Sequence, residues 1–99
     1  MTYGGTVYIM ANKARTTIYV GVTADLYARI LDHKNHVYAN SFTDKYNCVH
    51  CMYYEHFPTI QQAIAREKEI KKWRRDKKDA LINTLNPKWE DLWNEIKTW

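Results

Sequence analysis

The stretch from Val7 to His33 constrains this chain more than any other. Val7-Tyr8-Ile9 lies in a run, Thr6 to Met10, whose residues alternate as a strand does. A second run, Ile18 to Val22, puts Ile18, Val20 and Val22 on one face and Tyr19, Gly21 and Thr23 on the other. The polar segment Ala11 to Thr17 between them reads as a hairpin loop. An antiparallel hairpin lets Tyr8 and Tyr19 both leave on the face opposite the aliphatic residues. Gly21, inside the second strand, is expected to leave open space beside Tyr19. Thr23 is expected to cap a helix from Ala24, with Asp25 in its first turn. Leu26, Ile30 and Leu31 form the apolar stripe of that helix, and Arg29 and His33, four residues apart, share one edge of it.

Ninety-nine residues make one domain, 1–99. The net charge of +4 is unevenly spread: Arg66 to Lys78 holds eight Lys/Arg against three Asp/Glu, leaving the rest nearly neutral. A basic strip suits a polyanion such as DNA, although such runs are usually the solvated face of an ordinary helix. No apolar run approaches the ~20 residues needed to span a bilayer, and residues 1–5 carry no signal-like core. Two cysteines are too few for a disulfide framework. The expectation is a soluble, cytoplasmic protein with reduced thiols.

Beyond the helix, residues 36–48 read as polar and irregular, with Asn40, Ser41, Asp44 and Asn47 as turn formers and Lys45-Tyr46 within the loop. Val49 to Phe57 reads as a third strand, stopped by Pro58. Thr59 and Gln62 make a capping-box pattern for a helix from Ile60 to about Arg74. Its apolar positions are Ile60, Ala63, Ile64 and Ile70, and Glu67 falls angularly between Ile64 and Ile70, inside the stripe. A carboxylate directed inward must pair with a nearby Lys or Arg, be protonated, or hold a cation. Trp73, Ala80, Leu81, Ile82 and Leu85 suggest a further helix. Asn86-Pro87 reads as a helix start, with Trp89, Leu92, Trp93 and Ile96 as its buried stripe. The order is β-β-α-β-α-α-α, an α+β fold with a sheet flanked by helices.

Cys48 and Cys51 form a C-x-x-C with His50 and His56 near, but no second ligand pair is present for zinc, and the motif enters a strand rather than a helix. Packing is the expected role of these cysteines. Tyr8, Tyr19, Arg29, His33 and Glu67 together have the right types for phosphodiester hydrolysis. Glu67 suits one divalent cation, Arg29 suits the charge of a phosphoryl transition state, and a tyrosine with His33 suits the positioning or deprotonation of water.

At these residues the chain resembles the GIY-YIG endonuclease family. The first motif stands as Val7-Tyr8-Ile9 and the second as Tyr19-Val20-Gly21-Val22-Thr23. The helix from Asp25 to His33 matches the family's arginine and histidine. The run Ala63 to Trp73 looks like the helix carrying its metal-binding glutamate. The likeness extends through Thr43 to Asn47, Tyr53-Tyr54-Glu55 and Asn86 to Trp89. It is strongest to the compact single-domain branch, related to the nuclease module of the excision-repair incision subunit. The resemblance implies a mainly antiparallel three-stranded sheet and single-metal hydrolysis of DNA, with Mg²⁺ or Mn²⁺ on Glu67. It gives Tyr8 the better claim to general base, His33 an assisting role and Arg29 the scissile phosphate. Val7 replaces the glycine of the first motif. The family's late asparagine corresponds to Asn86, for which capping is the competing role.

Lys45, Tyr46, Lys71, Lys72, Arg74, Arg75 and Asn86 are the candidate DNA contacts. Target choice in such a short chain would come from a protein partner. Two other readings remain open. One is a nucleic-acid- or protein-binding module that keeps the fold without catalysis. The other is a metal or redox sensor built on Cys48 and Cys51.

Overall fold

The computed structural model describes residues 4–37 and 41–99; the expected turn former Asn40 lies outside them. Three antiparallel strands, β1 (Gly5–Ala11), β2 (Ile18–Thr23) and β3 (His50–Phe57), form one sheet in the order β2-β1-β3. Helices α1 (Leu26–Lys34), α2 (Phe42–Lys45), α3 (Ile60–Lys71), α4 (Arg75–Leu85) and α5 (Trp93–Ile96) complete the α+β architecture. Among the described residues no helix is long and apolar enough to cross a membrane.

The central strand β1 is buried along its whole length, which is why it carries apolar side chains on both faces. Val7, Ile9 and Ala11 join Val20, Ala63, Ile70 and Ile82 beneath α3 and α4. Tyr8 and Met10 join Leu26, Ile30, Cys48, Cys51 and Ile96 beneath α1 and α5. The alternation in Thr6 to Met10 thus divides two cores rather than core from solvent. On β3 the pairing slips between Ile9 and Met10, which face Tyr53 and Cys51. The extra residue, Met52, forms a bulge, so consecutive Met52 and Tyr53 both enter the α3–α4 core.

The hairpin loop is organised by Asn12, whose Oδ1 accepts from the N–H groups of Thr16 (2.9 Å) and Thr17 (3.1 Å). Helix α1 begins two residues later than the sequence suggests. Asp25 is its N-cap, accepting from Ala28 N–H, while Thr23 Oγ1 accepts from Asp25 N–H. An aspartate competes well with threonine for this position. Residues 36–48 hold a short helix that polar composition hid: Ser41 caps α2 by accepting from Asp44 N–H. Helix α3 is capped by Thr59 as expected, but stops at Lys71, and Arg74 opens α4.

Asn86-Pro87 does not start a helix. Asn86 is buried and ends α4; its amide donates to Met52 O (3.1 Å) and Glu90 O (2.7 Å), and its Oδ1 accepts from Glu90 N–H (3.1 Å). Those bonds close a tight loop instead of a first helical turn. Trp89, at φ 55°, turns into the α3–α4 core, whereas Leu92, Trp93 and Ile96 pack on the opposite face. Asp91 fastens this tail. Its carboxylate accepts from Lys34 Nζ (2.8 Å), pairs with His50 Nδ1 (2.9 Å), and takes the N–H groups of Cys51 and Trp93 (3.0 Å each).

Candidate active site

The hairpin sends both tyrosines to the α1 face, where α1 and α2 meet the sheet edge. An open cleft of about 250 Å³ lies there, walled by Tyr19, Arg29, His33, Ser41, Phe42 and Thr43. Tyr8 stands one layer behind it. Its ring is fully buried, and its hydroxyl meets His33 Nε2 at 2.9 Å. The other imidazole nitrogen, Nδ1, is 3.1 Å from Thr43 Oγ1, which in turn lies 3.2 Å from Ser41 Oγ. A line of polar groups, Tyr8–His33–Thr43–Ser41, therefore runs through the back of the cleft. The residues that aim His33 come from the polar segment, where nothing in the spacing marked Thr43 as its partner.

Burial pushes the His33 pKa below its ordinary value. The Arg29 guanidinium adds to that shift, and Asp32 opposes it only in part. At neutral pH the ring is therefore uncharged, one nitrogen donating and the other accepting. Arg29 is the half-buried cation on the cleft wall, suited to a phosphate oxygen.

Gly21 is not beside open space. A Cβ there would meet Tyr8 Cζ and Oη at 2.5 Å and Tyr19 Cε2 at 2.9 Å. The expected gap is filled by the Tyr8 ring, which lies directly across β1 and β2 from Gly21. The glycine thus admits a buried phenol, rather than a ligand, against the strand.

Glu67 projects from α3 between Ala63 and Ile70, both fully buried. Its side chain retains 12% exposure and pairs with Lys71 Nζ at 3.0 Å. Lys71 Nζ in turn lies 5.7 Å from the centre of the Tyr19 ring. Glu67 is thus linked to the cleft residue Tyr19 by way of Lys71, while Tyr8, Tyr19, Arg29 and His33 are brought together directly.

A site for a hard divalent cation needs oxygen donors, and Mg²⁺ takes one or two carboxylates while keeping several waters. Among the described residues no group of three His, Cys, Asp or Glu side chains could hold a metal. A single divalent cation there would have Glu67 as its carboxylate, in the place Lys71 Nζ takes at 3.0 Å, and phosphate and water oxygens would be its further donors.

The remaining candidate contacts fall into three groups. Lys45 and Tyr46 lie on and just after α2, beside the cleft wall residue Phe42. Lys71, Lys72 and Arg74 are exposed at the end of α3. Arg75 is engaged elsewhere: its guanidinium donates to Thr16 O and Arg15 O (2.8 Å each) and to Asp79 (2.7 Å), holding the hairpin loop on α4. Asn86 is buried with its amide committed to backbone, far from a surface role. Arg66 likewise serves the fold, paired with Glu55 and Glu69 and stacked on Trp73.

Cys48 and Cys51 are buried. Burial raises both thiol pKa values, that of Cys51 to about 12. They remain protonated at neutral pH, the form least suited to metal binding or redox attack.

Fold and cleft together define a small α+β scaffold that presents a guanidinium, a neutral imidazole and phenols at one sheet edge. The GIY-YIG catalytic domain matches residues 4–80. A UPF0213 protein from Bacillus pumilus is 33% identical over 69 residues, covering 70% of this chain and 69% of that protein. The solution NMR structure of a UPF0213 protein from Bacillus halodurans superimposes with a TM-score of 0.56 at 26% identity, over 88% of this chain and 90% of that one. The chain belongs to the GIY-YIG family of nuclease domains.

Proposed function

We propose that the protein hydrolyses phosphodiester bonds in DNA, with one divalent cation held by Glu67. The observation that carries this reading is the gathering of Tyr19, Arg29 and His33 on one cleft, with Tyr8 hydrogen-bonded behind His33. Mg²⁺ or Mn²⁺ bound at Glu67 would supply Lewis-acid charge to a phosphate oxygen and lower the pKa of water. The chain's own groups do the rest. Arg29 binds the scissile phosphate and offsets the charge that builds on it. His33, neutral and oriented by its two partners, accepts a proton at whichever nitrogen is unprotonated. With its proton on Nε2 toward the Tyr8 oxygen, Nδ1 is the accepting nitrogen, and the proton leaving the attacking water reaches it through the Thr43 hydroxyl on the cleft wall. Tyr19, half-buried on the cleft wall, is the phenol placed to meet the attacking water. Tyr8 acts through His33 as a positioning residue, because its hydroxyl is sealed from solvent. DNA specificity beyond the cleft would come from a partner protein.

A second reading is favoured by one contact. Lys71 already satisfies Glu67, as expected if the carboxylate only braces the α3 end in a DNA-binding module without catalysis.

The test uses single-stranded, duplex, flap and nicked oligonucleotides with Mg²⁺ or Mn²⁺. The parent is expected to cleave at least one of them, EDTA to abolish cleavage, and Arg29→Ala to slow it by about 10²-fold or more. Binding without cleavage on every substrate would establish the second reading. Cleavage that survives both Arg29→Ala and Glu67→Ala would remove this cleft from the reaction.

A further inference from the structure

Helix α2 divides its side chains sharply. Thr43 turns inward to His33, whereas Phe42 and Tyr46, four residues apart, turn outward and pack ring to ring with centroids 4.7 Å apart. Phe42 is 47% exposed and Tyr46 44%. The exposure is held in place: Ser41 caps the helix, Thr43 ties it to α1, and Tyr46 N–H bonds back to Phe42 O at 3.0 Å. Phe42 also forms part of the wall of the cleft that contains Arg29, and its ring lies 6.1 Å from that of Tyr19. Lys45 Nζ sits 5.4 Å from the Tyr46 ring centre, and Lys71 Nζ sits over Tyr19. A phenylalanine that packs into neither core thus shares a cleft wall with Arg29, backed by the Tyr46 ring, with Lys45 against Tyr46 and Lys71 against Tyr19.

We propose that Phe42, backed by Tyr46, is a stacking platform for an unpaired base adjoining the phosphate held at Arg29. The proposal rests on the nuclease reading for the position of that phosphate. Stacking on an aromatic ring requires an exposed base face, which a single strand or frayed end offers and a continuous duplex hides. The flanking lysines suit the strand's backbone charge, whereas an apolar protein segment would gain nothing from them. The substrate class is therefore DNA unpaired next to the cleavage point, such as a flap or a single-stranded end.

The test measures binding in EDTA, so that it does not depend on cleavage. Fluorescence anisotropy is read for single-stranded, flap and blunt-duplex oligonucleotides against the parent, Phe42→Ala, Phe42→Leu and Phe42→Trp. Circular dichroism checks each fold. Phe42→Ala and Phe42→Leu are expected to weaken single-strand and flap binding by about tenfold or more. Phe42→Trp binds about as tightly as the parent, and all four proteins bind blunt duplex alike. The leucine variant keeps the apolar volume and removes only the ring, so it decides the matter if the alanine variant misfolds. Unchanged single-strand affinity in Phe42→Leu, or an equal loss on blunt duplex, overturns the platform. A parallel assay with Mn²⁺ separates the two claims. A parent that binds flaps by Phe42 but cleaves nothing overturns the nuclease reading alone. A parent that cleaves while Phe42→Leu binds normally overturns the platform alone.

Discussion

At the scale of single residues, the cleft depends on how closely Gly21 and Tyr8 fit. A methyl group at position 21 has nowhere to go except into the Tyr8 phenol. Gly21→Ala is expected to cost about 1–3 kcal/mol in urea unfolding and to separate Tyr8 from His33; an unchanged midpoint would show that the ring yields freely. Tyr8→Phe keeps the ring and removes the hydroxyl, leaving one His33 nitrogen without its partner at 2.9 Å. It is expected to lower stability by about 1–3 kcal/mol and to displace the pH profile of cleavage. Tyr19→Phe, on the open wall, should leave stability unchanged and lower kcat. Equal kinetic losses with no pH displacement in Tyr8→Phe would make Tyr8 a packing residue only. Tyr8, Tyr19, Arg29 and His33 were legible because strand alternation and the i, i+4 rule fix their faces. Thr43 and Phe42 were not, since a four-residue helix has too little periodicity to show.

At the scale of elements, the sheet and α1 were readable from pattern, and the C-terminal tail was not. Asn and Pro in sequence are compatible with a helix start or a turn. The choice here is made by Met52 O, 34 residues away, which accepts from Asn86; no local signal carries that information. Asp91 has the same character. Burial would raise its pKa, but hydrogen bonds from Lys34 and His50, together with two backbone N–H groups, hold it below the ordinary carboxylate value. One carboxylate thus joins α1, β3 and the approach to α5. Asp91→Ala strands a partly buried ammonium and is expected to cost about 3 kcal/mol, seen as a lower urea midpoint with little change in the cleft. A loss below about 0.5 kcal/mol would mark the cluster as an ordinary surface network.

At the scale of the whole molecule, two pH windows follow from these groups. His33 and His56 have folded pKa values lowered by burial, so the unfolded chain takes up their protons first, from about pH 6.5 downward. Stability present above that point is lost as pH falls toward the folded values. Asp91 adds a later loss, because its depressed pKa contributes stability above the ordinary carboxylate value of 3.8 that disappears as pH falls through the folded one. Tm is therefore expected to fall as pH drops below about 6.5 and to fall further below about 3.8; a Tm that rises as pH drops from 6.5 would contradict these assignments. The basic strip also looks different in three dimensions. Arg66 and Arg75 are spent on internal partners, whereas Lys71, Lys72 and Arg74 near the end of α3 stay exposed. Charge along a sequence does not reveal which cations the fold consumes. Glu67, shielded on α3, is proposed to serve the cleft rather than only to brace Lys71. Single-turnover cleavage of a flap oligonucleotide over a range of Mn²⁺ concentrations, parent beside Glu67→Gln, tests it directly. Saturable metal dependence is expected in the parent and a loss of about 10²-fold or more in the variant. Equal rates at every Mn²⁺ concentration would contradict it.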